Sequence, residues 1–305
     1  MNHSLEAERH RLSTAVFLVG VDGSAGSKRA VRWAAATAAR RGRGLRLVCA
    51  LDLAASTAIF GSYALLVQPV VDELRARAIG YLTAAAEVAA QVAPEVAVET
   101  ELVDSGPAQA LIDRSAAAYA VVLGATGAGG GLAHLGSTLL KVVAHAHGSV
   151  VVVRDAEFAQ RDNGTGPVVV GVDGSAASTP VLAAAFAEAA ERGVDLVAVH
   201  CWIDLPTDEV TGSGVRIEVD DIDTEARSML AEQLAGWSEK YPEVTVERKV
   251  YLSGPRQHLL TWSKTAQLVV VGNRGRGGFR GLLLGSTSNA LVQRAHCPVL
   301  VAHAE

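Results

Sequence analysis

Val16-Phe-Leu-Val-Gly-Val-Asp-Gly-Ser24 returns about 150 residues later as Val168-Val-Val-Gly-Val-Asp-Gly-Ser175. Each stretch is an unbroken apolar run ending in Gly-Val-Asp-Gly-Ser. A strand with one wet face alternates apolar and polar residues, whereas an unbroken run fits a strand buried on both faces of a parallel sheet. A second pair keeps the same offset, Ser105-Gly-Pro107 returning as Ser253-Gly-Pro255. The chain therefore reads as a duplicated domain, residues 1–154 and 167–305, joined by a linker over 155–166.

Outward from these stretches, each copy alternates strand and helix. Alanine-rich helices are expected over Ala25 to Arg41 and Ala176 to Arg192, stopping near Gly42 and Gly193. Second strands follow at Leu45 to Leu51 and Leu196 to Ile203, then variable segments, then long helices over Val71 to Ala93 and Asp223 to Lys240. Third strands are expected at Val96 to Val103 and Val244 to Leu252, and Pro107 and Pro255 stand where a first helical residue tolerates a lost N–H. Fourth strands (Tyr119 to Gly124, Gln267 to Gly272), fourth helices (Leu135 to Ala146, Leu284 to Ala295) and fifth strands (Ser149 to Val153, Pro298 to Ala302) complete each copy. The fold class is α/β: two tandem copies of an open five-stranded parallel sheet with helices on both faces, Rossmann-like.

After the fourth strand each copy has a glycine-spaced loop closing on Gly-Ser-Thr. The first carries Gly124, Gly127 and Gly136-Ser137-Thr138; the second carries Gly272, Gly275 and Gly285-Ser286-Thr287. Ligands of open α/β sheets settle at the carboxyl ends of the strands, glycines let backbone N–H groups wrap an anion, and the next helix points its positive end at it. Such a loop suits phosphate. The competing reading is a flexible turn followed by an ordinary N-cap. Two copies of the loop, each matched to Gly-Val-Asp-Gly-Ser after strand one, favour the phosphate reading.

Gly272-Asn-Arg-Gly275, nine residues and Gly285-Ser286 form a pattern that resembles the nucleotide-binding signature of the ATP-binding universal stress proteins, in their tandem form. In the first copy eight residues separate Gly127 from Gly136, so that loop is one residue short. The resemblance implies ATP, accompanied by Mg²⁺, as the cofactor. It implies that Gly20, Val21 and Asp22, with Gly171, Val172 and Asp173, meet the adenosine end, and that the glycine loops and Ser-Thr pairs hold the phosphates. Asp22 and Asp173 have a structural alternative as N-caps. Arg274, Arg276 and Arg280 give the second loop a charge that Thr126, Ala128 and His134 do not give the first, so tighter binding is expected in the second copy.

The formal charge of −5 over 305 residues offers no basic field for nucleic acid or anionic lipid. A polar first segment and the lack of a long apolar run lead to the expectation of a cytoplasmic protein. Cys49, Cys201 and Cys297 have no metal-ligand spacing and read as reduced core thiols. His145, His147 and His296 near helix ends suit the helix dipole better than a metal, and Trp33, Trp202, Trp237 and Trp262 read as packing residues.

Motifs for P-loop, dinucleotide, serine-hydrolase and zinc-protease chemistry are all absent from the sequence. Hydrolysis of ATP needs a group to orient water and another to stabilise developing charge, and only the second loop's arginines are candidates, so slow ATPase activity at most is expected. The leading expectation is an ATP-binding regulator of the stress response that forms a homo-oligomer, a homodimer first of all, or meets another protein. The alternatives are an ATP-using enzyme whose substrate binds over Asp52 to Gln68 and Asp204 to Asp220, and a nucleotide-free dimerisation scaffold.

Overall fold

The computed structural model describes residues 15–52, 68–127, 136–154, 166–175, 177–203, 219–275 and 284–303, with the backbone alone described at 219–223. The expected linker, nearly all of the two variable segments, and Arg276 and Arg280 lie outside the described residues. By internal contacts the chain divides into two compact units, Met1–Arg154 and Asp155–Glu305.

The first unit runs β1 (Phe17–Gly20), α1 (Ala25–Arg40), β2 (Leu45–Ala50), α2 (Gln68–Val92), β3 (Val98–Val103), α3 (Pro107–Ser115), β4 (Ala120–Gly124), α4 (Ser137–His145) and β5 (Ser149–Val153). The second repeats it as β6 (Val168–Val172), α5 (Ser178–Arg192), β7 (Leu196–Cys201), α6 (Val219–Lys240), β8 (Val246–Tyr251), α7 (Pro255–Trp262), β9 (Leu268–Gly272), α8 (Ser286–Arg294) and β10 (Val299–Ala302).

Within the first unit the strand order is β3-β2-β1-β4-β5, and within the second β8-β7-β6-β9-β10, the same order. Neighbours in each are parallel, as in Phe17 opposite Leu45 and Ala120, and Val168 opposite Leu196 and Leu268. α1 packs with α2 and α3 with α4, and in the second unit α5 with α6 and α7 with α8. Right-handed crossovers place each pair on its own face of the sheet.

The valine runs are central strands buried on both faces, as their lack of alternation predicts: Val168, Val169 and Val170 are buried, as are Phe17, Leu18 and Val19. The edge strands β3 and β8 are half-wet and alternate less cleanly. Pro107 and Pro255 each open a helix at its first turn. Gly193 ends α5 in the left-handed region at φ 62°, as a C-cap glycine does. Trp33 meets Phe17 edge-on at 6.4 Å and Trp237 stacks on Phe186 at 6.1 Å, so both are packing residues. Fully buried Phe186 and Leu230 each contribute about 1.5–3 kcal/mol of hydrophobic stabilisation.

The duplication reaches the polar contacts. Ser115 Oγ donates to the Ile112 carbonyl at 2.6 Å and accepts the His147 N–H at 2.8 Å. Ser263 Oγ donates to the Leu260 carbonyl at 2.7 Å and accepts the His296 N–H at 3.0 Å. A buried serine thus fastens the end of the third helix to the turn before the fifth strand in both units.

Several helix starts depart from expectation: α2 begins at Gln68 rather than Val71 and α6 at Val219 rather than Asp223. α5 begins at Ser178 rather than Ala176, because Oδ1 of Asp173 draws in the hydroxyls of Ser175 and Ser178 at 2.7 Å each and holds the intervening turn out of the helix. α4 and α8 begin at Ser137 and Ser286 rather than Leu135 and Leu284, each directly after its glycine, Gly136 or Gly285.

Candidate functional site

In each unit β1-type and β4-type strands lie side by side, so their carboxyl ends flank the point where the strand order reverses. Open α/β sheets form their ligand crevice there. Asp22 and Asp173 follow the first strand of each unit at this point, and the glycine loops follow the fourth.

The carboxylates are built in with care. Asp22 Oδ1 accepts the Ser24 N–H at 3.0 Å, while Ser24, and not Asp22, is the N-cap of α1, accepting the Ser27 N–H at 3.0 Å. Asp173 Oδ1 accepts the Ser175 N–H at 2.9 Å as well as the two serine hydroxyls. In both units the other oxygen, Oδ2, lies beside the loop: a Cβ at Gly127 would stand 3.0 Å from Asp22 Oδ2, and one at Gly275 would stand 3.0 Å from Asp173 Oδ2. One carboxylate oxygen therefore fixes the turn and the other abuts the loop.

The glycines divide by what requires them. Gly20 and Gly171 are packing glycines: an added Cβ would come within 2.6 Å of Leu123 and 2.9 Å of Leu259. Val21 and Val172 are buried, and the Val21 N–H donates to the Val48 carbonyl at 2.8 Å. Gly124 lets β4 close onto the Gly26 backbone, where a Cβ would meet atoms at 2.3 Å, and Gly272 clears the Arg274 carbonyl and Val181 at 3.0 and 3.2 Å. Gly136 and Gly285 are different. Among the described residues a Cβ would find nothing within 4 Å at Gly136 and only ordinary contacts from 3.5 Å at Gly285, and neither residue has a positive φ.

Gly136 and Gly285 are also the N-cap residues of α4 and α8, and neither helix has a side-chain cap. The first-turn N–H groups are thus left to partners other than a capping side chain. Ser137 and Ser286 are exposed at the first helical position, with Thr138 and Thr287 half-buried behind them. The glycine of each Gly-Ser-Thr is the N-cap itself, so the ordinary N-cap reading of the triplet also fits this geometry, with the hydroxyl residues inside the helix.

The second unit holds its site more firmly on the α8 side. Gly285 N–H donates to the Asn273 carbonyl at 2.8 Å and Ser288 Oγ to the Gly272 carbonyl at 2.5 Å. Leu139 occupies the Ser288 position in the first unit. Arg274 is exposed in the second loop, where the first has half-buried Thr126. Sequence reasoning passed over Ser24, Ser178 and Ser288, although each follows a site glycine or aspartate at short range.

The field of Asp22 reaches its neighbour strand. Burial first, and the Asp22 charge second, push the Cys49 thiol up from its ordinary pKa. Burial pushes Cys297 up to about 12. Neither favours a reactive thiolate, and no cluster of three or more His, Cys, Asp or Glu fit for a metal occurs among the described residues. Among the same residues no helix is long and apolar enough to cross a membrane.

The chain is a duplicated parallel α/β unit with a glycine-spaced loop and a glycine N-cap at each switch point. The pattern of the universal stress protein family matches residues 15–154 and again 164–303. A universal stress protein of Mycolicibacterium smegmatis is 42% identical over 288 residues, covering 93% of this chain and 95% of that protein. One from Mycobacterium tuberculosis is 38% identical over 288 residues, covering 93% and 96%. A crystal structure of a universal stress protein from Archaeoglobus fulgidus shares the fold with a TM-score of 0.65 at 18% identity, covering 95% of this chain and 96% of that one. The chain belongs to the universal stress protein family, in tandem form.

Proposed function

We propose that this protein binds ATP at the carboxyl ends of the strands in each repeat, more tightly in the second, and works as a nucleotide-dependent regulator of the stress response. The observation that carries the reading is the start of α8 at Gly285, an N-cap glycine without a side-chain cap that neither a positive φ nor any described neighbour requires. A glycine at a helix N-terminus, having no side chain, leaves room for a phosphate to approach the N–H groups. Gly272, Gly275, Gly285, Ser286, Thr287 and Arg274 would hold the phosphates, and Arg276 completes the proposed set in sequence. In the first repeat Gly124, Gly127, Gly136, Ser137 and Thr138 take the same roles. The backbone of Gly20, Val21, Gly171 and Val172, with Asp22 and Asp173, would face the adenosine.

Mg²⁺ would be held mainly by phosphate oxygens and water, the usual arrangement for this ion where protein carboxylates are few. The protein is proposed to act in the cytoplasm, as a homo-oligomer or with a protein partner that reads the bound state. The test is to denature the purified protein and to identify and count the released nucleotide by chromatography. About one or two adenine nucleotides per chain, or stoichiometric uptake of added Mg-ATP, is the expected result. An empty chain that takes up no Mg-ATP contradicts the reading.

A further inference from the structure

The start of the glycine loop is built differently in the two units. In the first, Thr126 sits directly on α1: a Cβ at Gly26 would stand 2.0 Å from the Thr126 carbonyl oxygen, an overlap that backbone atoms cannot relieve without moving. Two side chains of the same turn grip this residue. Ser24 Oγ donates to the Thr126 carbonyl at 3.2 Å, and Arg29 Nη2 donates to Thr126 Oγ1 at 3.3 Å. Both oxygens of Thr126 are therefore engaged from α1.

Counting from the shared Gly-Ser, the second unit has Ala177 for Gly26, Pro180 for Arg29 and Arg274 for Thr126. The methyl of Ala177 removes the space that the Thr126 carbonyl uses, proline has no group to donate, and the Ser175 hydroxyl turns to Asp173 instead. The second loop is tied to α8 by Asn273 and Gly272, as described above, and its Arg274 side chain is exposed.

We propose that Gly26, Ser24 and Arg29 form a latch that draws the first loop onto α1 and away from a phosphate, making the first repeat the weaker nucleotide site. The inference rests on the nucleotide-binding reading above. It assigns the inequality of the sites to residues of α1 that lie outside the glycine signature. Arg29 and Thr126 are positioning residues: they act on the ligand through the path of the loop.

The test uses the full chain carrying Gly285→Val, so that added Mg-ATP reports the first repeat. Into this background go Arg29→Ala and Thr126→Ala, which lift the latch without placing a new atom in the core, and Gly26→Ala, which must displace the carbonyl. Loss of one net hydrogen bond predicts about tenfold tighter Mg-ATP binding in Arg29→Ala or Thr126→Ala. Amide hydrogen exchange at Thr126 and Gly127 should rise in the nucleotide-free state of the same variants. A merely structural contact would raise exchange and weaken binding, so faster exchange with unchanged or weaker binding overturns the latch. Slow exchange unaltered by either variant also overturns it. Absence of Mg-ATP binding by the unsubstituted chain would instead sink the nucleotide reading itself, a result separable from the first two.

Discussion

Oδ2 of Asp173 stands where a Cβ on Gly275 would be only 3.0 Å away, and Asp22 and Gly127 repeat the relationship at the same distance. The loop and the turn after the first strand thus press on one another at the mouth of each sheet. Any side chain at Gly275 must push the carboxylate or lift the loop, whereas the other oxygen is held in place by three donors.

Asp173→Ala leaves those donors, two of them serine hydroxyls, without their acceptor, at a cost of about 1–3 kcal/mol. Asp173→Asn retains an acceptor at Oδ1 and should lose less. Thermal melts of the two variants check the order, and equal destabilisation would show that the charge itself, and not the acceptor, holds the turn.

Arg274 is an exposed cation of the second loop. A charge-assisted contact to phosphate predicts that Arg274→Ala weakens Mg-ATP binding about tenfold at low salt and flattens its salt dependence. Calorimetric titration at two ionic strengths reads both effects.

Cys297, with its thiol pushed up to about 12, and buried Cys49 should resist alkylation in the native protein at mildly alkaline pH. Half-buried Cys201 should label first, with the other two following only on unfolding. Mass spectrometry of peptides after a timed pulse checks the sequence of events.

The hydrogen bond from Arg114, at 2.6 Å, holds the Glu101 carboxyl below its ordinary pKa. A carboxyl depressed in the folded state adds stability above its unfolded pKa, about 4, and that contribution disappears as pH falls through the folded value. Glu101→Gln should therefore lower stability at neutral pH, by a small amount because the pair is partly exposed, and converge on the parent as pH falls to 3, which flattens the acid limb. Denaturant melts from neutral pH to pH 3 would show the difference.

The strands were legible because a sheet covered on both faces needs unbroken apolar runs, and the helix starts at Pro107 and Pro255 because proline suits the first turn. The packing role of the motif glycines was not legible. Gly20 and Gly171 read as ligand contacts, yet Leu111, Leu123 and Leu259, distant in sequence, supply the crowding that requires glycine there. The late start of α5 depends on where two serine hydroxyls point, which spacing alone does not reveal. Gly26 drew no notice because its partner, Thr126, is a hundred residues away. Cys49 and Cys201 both read as core thiols; Cys201 is half-buried, and the strand registers set Cys49 at the place of His200, a buried side chain whose Nδ1 lies 2.8 Å from the Val172 carbonyl.

Gly285→Val tests the central claim most directly. The position has ordinary room for a Cβ and no positive φ, so the variant should fold with a loss of about 1 kcal/mol at the cap. Equilibrium dialysis of the nucleotide-stripped chain against Mg-ATP is expected to show loss of the tight site in Gly285→Val and its retention in Gly136→Val. Full stoichiometry and affinity in a folded Gly285→Val chain would contradict the assignment of the phosphate site.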